Sequence, residues 1–273
     1  MMIHKILKGL APVAALAGAV LVSGCDGMQV RIGDEDAVPL SELDMSGKAP
    51  TELVLASPDR VIVSDGDTLD IDVSGDQDAV DALRFSLDGD TLGIVRGKDG
   101  WKDKGTATIR VTLPGLTGIV LAGSGSIEAA SLSGKADVTI AGSGKASVAK
   151  VTAEALDLTI AGSGDFEASG SADKLDMTVA GSGRARMAGL KVDTADISVA
   201  GSGDTEFSSD GTVDASIMGS GTVTVHGRAN CTVSAMGSGK LNCKSAQGTT
   251  EAPVATEAPE PPTAPEAPEA PEA

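Results

Sequence analysis

Aromatic residues are nearly absent from this chain. Its 273 residues include no tyrosine, and only Phe85, Trp101, Phe166 and Phe207 carry an aromatic ring. An ordinary globular core uses more, whereas a core of small and β-branched side chains in stacked coils does not need them. Basic residues are also scarce, since 21 Lys and Arg oppose 39 Asp and Glu and give a formal net charge of −18. Because binding to phosphates needs a basic face, we expect no nucleic-acid partner.

Long apolar runs are missing as well. The run from Gly9 to Val22 follows a basic start and is too short, and too rich in Ala and Gly, for a membrane-spanning helix. It leads into Leu-Val-Ser-Gly-Cys at 21–25, which resembles a bacterial lipoprotein cleavage box. We therefore predict a lipoprotein signal peptide over residues 1–25, with Cys25 as the lipidated residue that holds the protein on the membrane. An ordinary secretory signal and an uncleaved anchor are the alternatives.

The two ends of the mature chain differ in composition from its middle. Residues 26–50 are polar and acidic with interspersed Gly and Pro, which is typical of a flexible tether. Residues 246–273 repeat Glu, Ala and Pro, and we predict a disordered tail because they cannot bury enough apolar surface to fold. The folded domain is predicted within residues 51–245. A lipid anchor would place it in the cell envelope, on the periplasmic side of the inner or outer membrane or at the cell surface.

A Gly-Ser-Gly tripeptide organises the middle of the chain. It recurs seven times with a period of 18 to 20 residues, its serines being Ser124, Ser143, Ser163, Ser182, Ser202, Ser220 and Ser238. A period of this length is typical of a solenoid. Alternating apolar residues flank each tripeptide, so about 19 residues per winding, divided among three sides, predict a parallel β-helix. Glycine suits the corner because it tolerates positive φ, and the crossover rule favours a right-handed coil.

The segment from Leu53 to Leu113 reads as short alternating strands with one helical turn at 76–82, and we expect it to cap one end of the coil. These strands, the Thr-Leu-Pro-Gly-Leu at 112–116, and the Ala-Gly-Ser-Gly repeats with Asp-x-Thr-Ile ahead of them resemble the head GIN domain family over about residues 53–243. The resemblance implies an all-β fold, a right-handed parallel β-helix, and suggests adhesion on a bacterial envelope lipoprotein. It brings no known catalytic residues.

Five aspartates occupy equivalent outward positions before successive corners. We call Asp137, Asp157, Asp176, Asp196 and Asp214 the acidic ladder. Like charges about 4.8 Å apart repel by roughly 1 kcal/mol per pair even in water. Either the carboxylates are solvated or bonded to nearby backbone, or the acidic ladder is a ligand face for a basic partner or weakly bound Ca²⁺.

The exposed charges after each corner follow another rule. Their sign alternates from Glu128 to Lys145, then to Asp165 and Glu167, and then to arginines in the following repeat. Cross-strand pairs of this kind contribute about 0.2–1 kcal/mol each. We interpret the alternation as a device that fixes the register of the windings.

Two cysteines other than Cys25 lie at inward positions of the last winding, on different sides of it. We expect Cys231 and Cys243 to be small buried thiols, with a disulfide that closes the last turn as the alternative. The corner serines are poor nucleophiles, because a serine needs a base within reach and His226 is the only histidine of the predicted mature chain. We therefore assign the serines to turns.

These features favour a non-enzymatic envelope lipoprotein that presents a β-helical binding or adhesion surface to a polysaccharide or protein, with no cofactor. One alternative is a structural protein that associates end to end through the open ends of the coil. The other is a β-helix enzyme acting on polysaccharides. Uniform windings, short loops and the lack of aromatic platforms speak against that enzyme.

Overall fold

The computed structural model describes residues 37–97 and 105–243, together with the antiparallel strands β1 (Ala19–Val20) and β2 (Ile32–Gly33). The lipidation site predicted at Cys25 and the tail predicted over residues 246–273 lie outside the described residues. Neither described helix, of three and six residues, approaches the length that crossing a membrane requires.

The repeat region forms the predicted β-solenoid of parallel strands. The corner glycines stack in direct register, from Gly123 beside Gly142 to Gly219 beside Gly237. The strands are β9 (Gly118–Gly123), β10 (Ser126–Gly142), β11 (Lys145–Gly162), β12 (Asp165–Gly181), β13 (Arg184–Gly201), β14 (Asp204–Gly219), β15 (Thr222–His226), β16 (Asn230–Gly237) and β17 (Lys240–Cys243).

Each winding has three sides, as its burial pattern shows. In β11 the alternation of buried and exposed side chains slips at 149–150 and again at 154–155, and the corner tripeptide makes the third bend. The resulting core is aliphatic, with one apolar ladder per inward position. The buried residues of this winding are Ala146, Val148, Val151, Ala153, Leu156, Leu158 and Ile160.

The corner requires glycine for both conformation and space. Gly162 has φ +119°, and a Cβ built there would lie 2.5 Å from the carbonyl oxygen of Gly142 in the winding below. The backbone N–H of Ser163 donates to that same oxygen at 2.8 Å. Tight stacking and positive φ therefore explain why the tripeptide recurs.

The N-terminal part caps one end of the solenoid, as predicted. It consists of β3 (Glu52–Ala56), β4 (Arg60–Asp65), β5 (Asp70–Gly75), α1 (Gln77–Ala82), β6 (Leu83–Asp88), β7 (Thr91–Arg96) and β8 (Ala107–Leu113). The order in space differs from the order in the chain. β3 lies between β7 and β9, and β4 lies between β8 and β10. The strands β7 and β8 therefore lie further out than β3 and β4, although they come later in the chain. The antiparallel strands β5 and β6 form the outer layer.

Part of the predicted tether belongs to the domain. Val38 exchanges backbone hydrogen bonds with Phe85 at 2.9 and 2.8 Å, and a 3₁₀ helix follows at Leu40–Glu42. Leu40 and Leu43 pack against the core. The ordered domain therefore starts before residue 51, because these apolar side chains cover the outer strand β6.

The opposite end closes with a disulfide. Cys231 in β16 and Cys243 in β17 are bonded, with their Cα atoms 6.6 Å apart. Both side chains are half-buried rather than buried. The expectation of two buried thiols is thus wrong, because the bend at 237–239 brings the two sides of the last winding within disulfide distance.

Candidate functional site

The acidic ladder forms one continuous column on the outside of the solenoid. Asp137 pairs with Asp157, Asp157 with Asp176, Asp176 with Asp196, and Asp196 with Asp214 in direct register. Parallel strands place identical residues side by side, so five repeats of one sequence position become five stacked carboxylates. A second outward column, two residues further on, carries hydroxyls: Thr139, Thr159, Thr178, Ser198, Ser216 and Ser234.

The charges of the acidic ladder are only partly compensated. Lys174 contacts Asp176 at 2.9 Å and Asp196 at 3.7 Å. Partial burial, and then the charge of Asp157, raise the pKa of Asp137, although Thr139 donates a hydrogen bond to it at 3.5 Å. Partial burial and the neighbouring Asp176 likewise raise the pKa of Asp157. Partial burial and mutual repulsion therefore oppose the ionisation of Asp137 and Asp157.

No group of three or more Asp, Glu, His and Cys side chains within the described residues could hold a metal ion. The acidic ladder is a single row with one carboxylate per winding. Calcium needs six to eight oxygen ligands gathered around one point. The Ca²⁺ alternative for the acidic ladder gains no support from this geometry.

A shallow groove runs along the solenoid on another side. It has a volume of about 630 Å³ and follows the bend after the first strand segment of each winding. Its lining includes four small exposed residues, Ala130, Ala149, Ser169 and Ala188, and four charged residues, Glu128, Glu167, Arg186 and Glu206. We call these four charged residues the charged wall.

Ion pairs tie the charged wall together across windings. Glu167 accepts from Lys145 and from Arg186, both at 2.9 Å, and Arg60 contacts Glu128 at 2.8 Å. The charges form two parallel columns rather than one. Lys145 stands beside Ser126, not beside Glu128, and reaches diagonally to Glu167. Ion pairs therefore join neighbouring windings; that they fix the register stays a prediction.

The serines of the Gly-Ser-Gly tripeptides lie in the bends between successive strands. His226 ends β15 and faces Glu206, with 3.5 Å between Nε2 and Oε2. Among the described residues, no hydrogen bond joins His226 to a serine. A serine–histidine pair for nucleophilic catalysis is not formed here.

The fold and the two outward faces define a class of protein: a β-solenoid with stacked columns of polar and charged residues along its sides. The chain belongs to the family described as "putative auto-transporter adhesin, head GIN domain", which matches residues 49–229. This agrees with the resemblance carried by the Gly-Ser-Gly repeats. No curated protein matches the chain.

Solved structures share the fold at low sequence identity. A "putative adhesin" from Bacteroides fragilis has a TM-score of 0.65 and 19% identity, covering 72% of this chain and 93% of the other. A "putative lipid binding protein" from Parabacteroides distasonis has a TM-score of 0.56 and 24% identity, with the same coverage. A "putative adhesin" from Parabacteroides distasonis has a TM-score of 0.53 and 17% identity, again covering 72% and 93%. At these identities the likeness concerns the fold alone.

Proposed function

We propose that this chain is a lipid-anchored protein of the cell envelope whose solenoid binds an envelope or surface polymer without catalysing a reaction. The observation that carries the proposal is the acidic ladder, a column of five carboxylates in unbroken register. A polymer that repeats along its length can contact such a column at several windings, so weak contacts add up. The adhesin description of the family supports the same role.

The ligand face in this proposal is the acidic ladder, and its partner carries basic groups. Lys174 is the one cation that contacts the ladder in the described residues, and it reaches two of the five carboxylates. A cationic partner relieves the repulsion among the others, so binding and stability are coupled. The charged wall of the groove is a poorer candidate because its own ion pairs already neutralise it.

The test measures retention of the full chain, solubilised in mild detergent, on peptidoglycan, on envelope polysaccharide and on envelope proteins. Asp157→Asn with Asp176→Asn removes two ladder charges. Asp173→Asn with Asp193→Asn is the matched control, because it removes two exposed aspartates outside the ladder. We expect the ladder variant to lose binding and the control to keep it. Equal loss in both variants, or no binding by the unaltered chain to any probe, contradicts the proposal.

The lipid anchor is tested separately in whole cells. Cys25→Ala in the full chain is expected to move the protein from the membrane fraction to the soluble fraction and to abolish incorporation of labelled fatty acid. Protease treatment of intact cells then distinguishes a surface location from a periplasmic one. Unchanged membrane retention without fatty acid would favour an uncleaved anchor.

A further inference from the structure

The C-terminal end of the solenoid leaves its apolar ladders open. In the preceding winding Val213, Ala215 and Ile217 are buried. Their successors Cys231 and Val233 are half-buried, and Ala235 is exposed. Leu241 and Cys243 are likewise half-buried above the buried residues Val223 and Val225. We call Cys231, Val233, Ala235, Leu241 and Cys243 the end face.

The backbone at this end is also unpartnered. Within the described residues β16 pairs with β14 alone, and β17 pairs with β15 alone. Their outer N–H and C=O groups form a strand edge that another strand can pair with. Met236 is 72% exposed beside this edge, at a position that alanine occupies in the first five corners.

Two outward columns that carry charge in the inner windings continue as uncharged residues in the last winding. The acidic ladder ends at Asp214, whose neighbour in β16 is Thr232. The column of Glu206 continues as Thr224 and then Asn242. Natural sheets protect free edges with charged residues and proline. Here Lys240 is the one charged residue of β16 and β17, so the edge lacks that protection.

The other end is protected by charge on one outer strand and by covering of the other. The outer strand β5 carries Asp70 and Asp72 on its edge, and β6 is covered by Val38 and the 3₁₀ helix. A head-to-tail contact would set the uncharged edge of one copy against an acidic or covered edge of the next. Contact between two identical C-terminal ends joins apolar to apolar surface.

The residues after Cys243 are poorly suited to cover the end face. Residues 244–273 contain seven prolines, one valine, and no Leu, Ile, Met or Phe. Proline cannot donate to a strand ladder, and this segment offers a single branched aliphatic side chain, that of Val254. A second copy, in contrast, brings the same apolar set and the same free edge.

We propose that the end face is a self-association surface on which a second copy of this chain docks with its own end face. A two-fold axis perpendicular to the strands pairs β16 of one copy antiparallel with β16 of the other. The contact is isologous, so it closes at two copies and builds no filament. The dimer forms in a concentration-dependent way, as any reversible association of two copies does. It does not depend on the ligand of the acidic ladder.

The first test uses the full chain in its own cells. A photoreactive benzophenone amino acid replaces Met236 at the open end or, as the matched control, Ala180 in the same column of an inner winding. Two differently tagged copies are produced together. Light is expected to give an adduct of twice the chain mass that carries both tags from position 236 and none from position 180. Adducts only with other proteins, no adduct from position 236, or equal adducts from both positions would overturn the proposal.

The second test places charge on the edge. Thr232→Lys with Ser234→Lys sets like charges against each other across the two-fold axis, and the adduct from position 236 should fall about tenfold or more. Thr178→Lys with Ser198→Lys is the control, because these exposed residues lie in inner windings. Protection of Cys231 and Cys243 from alkylation shows that the last winding is intact in the variant. If the double variant does not protect them, Thr232→Lys alone is used in its place. An undiminished adduct in an intact edge variant would refute pairing through β16.

Discussion

Asp59 and Arg96 form a buried ion pair at the end of the solenoid where the stack of Gly-Ser-Gly corners begins. Arg96 Nε lies 2.9 Å from Asp59 Oδ2, and Arg96 also donates to the carbonyl oxygen of Gly105. Asp59 Oδ1 accepts from the backbone N–H of Ala107 at 2.8 Å. The backbone carbonyl of Asp59 then accepts from Ser126, just after the first Gly-Ser-Gly. The pair therefore links β7, β8 and the turn before β4 where the stack of corners begins.

Asp59→Asn is expected to cost about 3–5 kcal/mol in the free energy of unfolding. It removes the carboxylate charge that pairs with the Arg96 guanidinium, whose side chain is only 2% exposed. Lys48→Gln is the control, since it breaks the exposed Lys48–Asp90 pair and should cost at most about 1 kcal/mol. Urea denaturation of both variants measures the difference. Equal, small losses would show that the buried pair contributes no more than a surface pair.

Gly162→Ala should destabilise the solenoid by about 1–3 kcal/mol. Alanine is strained at φ +119°, and its Cβ would meet the Gly142 carbonyl oxygen at 2.5 Å. Gly115→Ala is the comparison, because φ there is not positive and nothing lies within 4 Å of its Cβ. We expect that variant to be neutral or slightly stabilising. Thermal unfolding followed by circular dichroism distinguishes the two, and a neutral Gly162→Ala would contradict the stacking requirement.

Thr205→Val should stabilise the protein by about 1 kcal/mol. Thr205 is 3% exposed in an inward ladder between Ala185 and Val223, and its hydroxyl oxygen has no hydrogen-bond partner. Valine has nearly the same shape and removes the cost of the unsatisfied group. Thr159→Val, on the exposed side, is the control and should change little. A loss of stability in Thr205→Val would indicate that a water molecule bonds the hydroxyl.

The fold of the repeat region is predictable from the sequence because the spacing of the repeats determines which residues of neighbouring windings pair. A slip of one residue would turn the inward residues of a whole segment to solvent, so the apolar pattern fixes which aspartates stack. The acidic ladder from Asp137 to Asp214 therefore follows from the spacing of the repeats alone. The columns after the corner are harder to predict, since Glu128 and Lys145 occupy different positions relative to their corners.

The arrangement of the N-terminal strands cannot be predicted in this way, because their sequence has no repeat. Nothing in the order of β3 to β8 along the chain indicates that β7 lies outside β3 and that β8 lies outside β4 at this end of the solenoid. The Asp59–Arg96 pair joins residues 37 positions apart and follows from that arrangement alone. The disulfide is hard to predict for a related reason, since the last winding has no successor to define where its sides meet.

Asp137→Asn is expected to raise stability near neutral pH, with a gain that depends on pH. The folded-state pKa of Asp137 is raised by partial burial and by Asp157, so its ionised form opposes folding. Stability therefore increases as the pH falls through the folded-state pKa of this carboxyl, and the whole effect is gained below its unfolded value, about 4. The advantage of the asparagine variant should shrink over that window. Melting temperatures of the unaltered protein and the variant between pH 7 and 3 measure this, and a gain that does not shrink toward pH 3 would contradict the prediction.

Cys231→Ser with Cys243→Ser should lower the free energy of unfolding of the last winding by about 3 kcal/mol, the chain-entropy value for a loop of this size. The bond closes a sequence separation of 12 residues at the open end, where β16 and β17 each have one partner strand. Inner windings have strands on both sides, so the loss should stay local. Hydrogen exchange should quicken in residues 230–243 of the variant and remain unchanged in β11 and β12. Faster exchange throughout the solenoid would mean that the windings unfold as one unit and that the disulfide stabilises all of them.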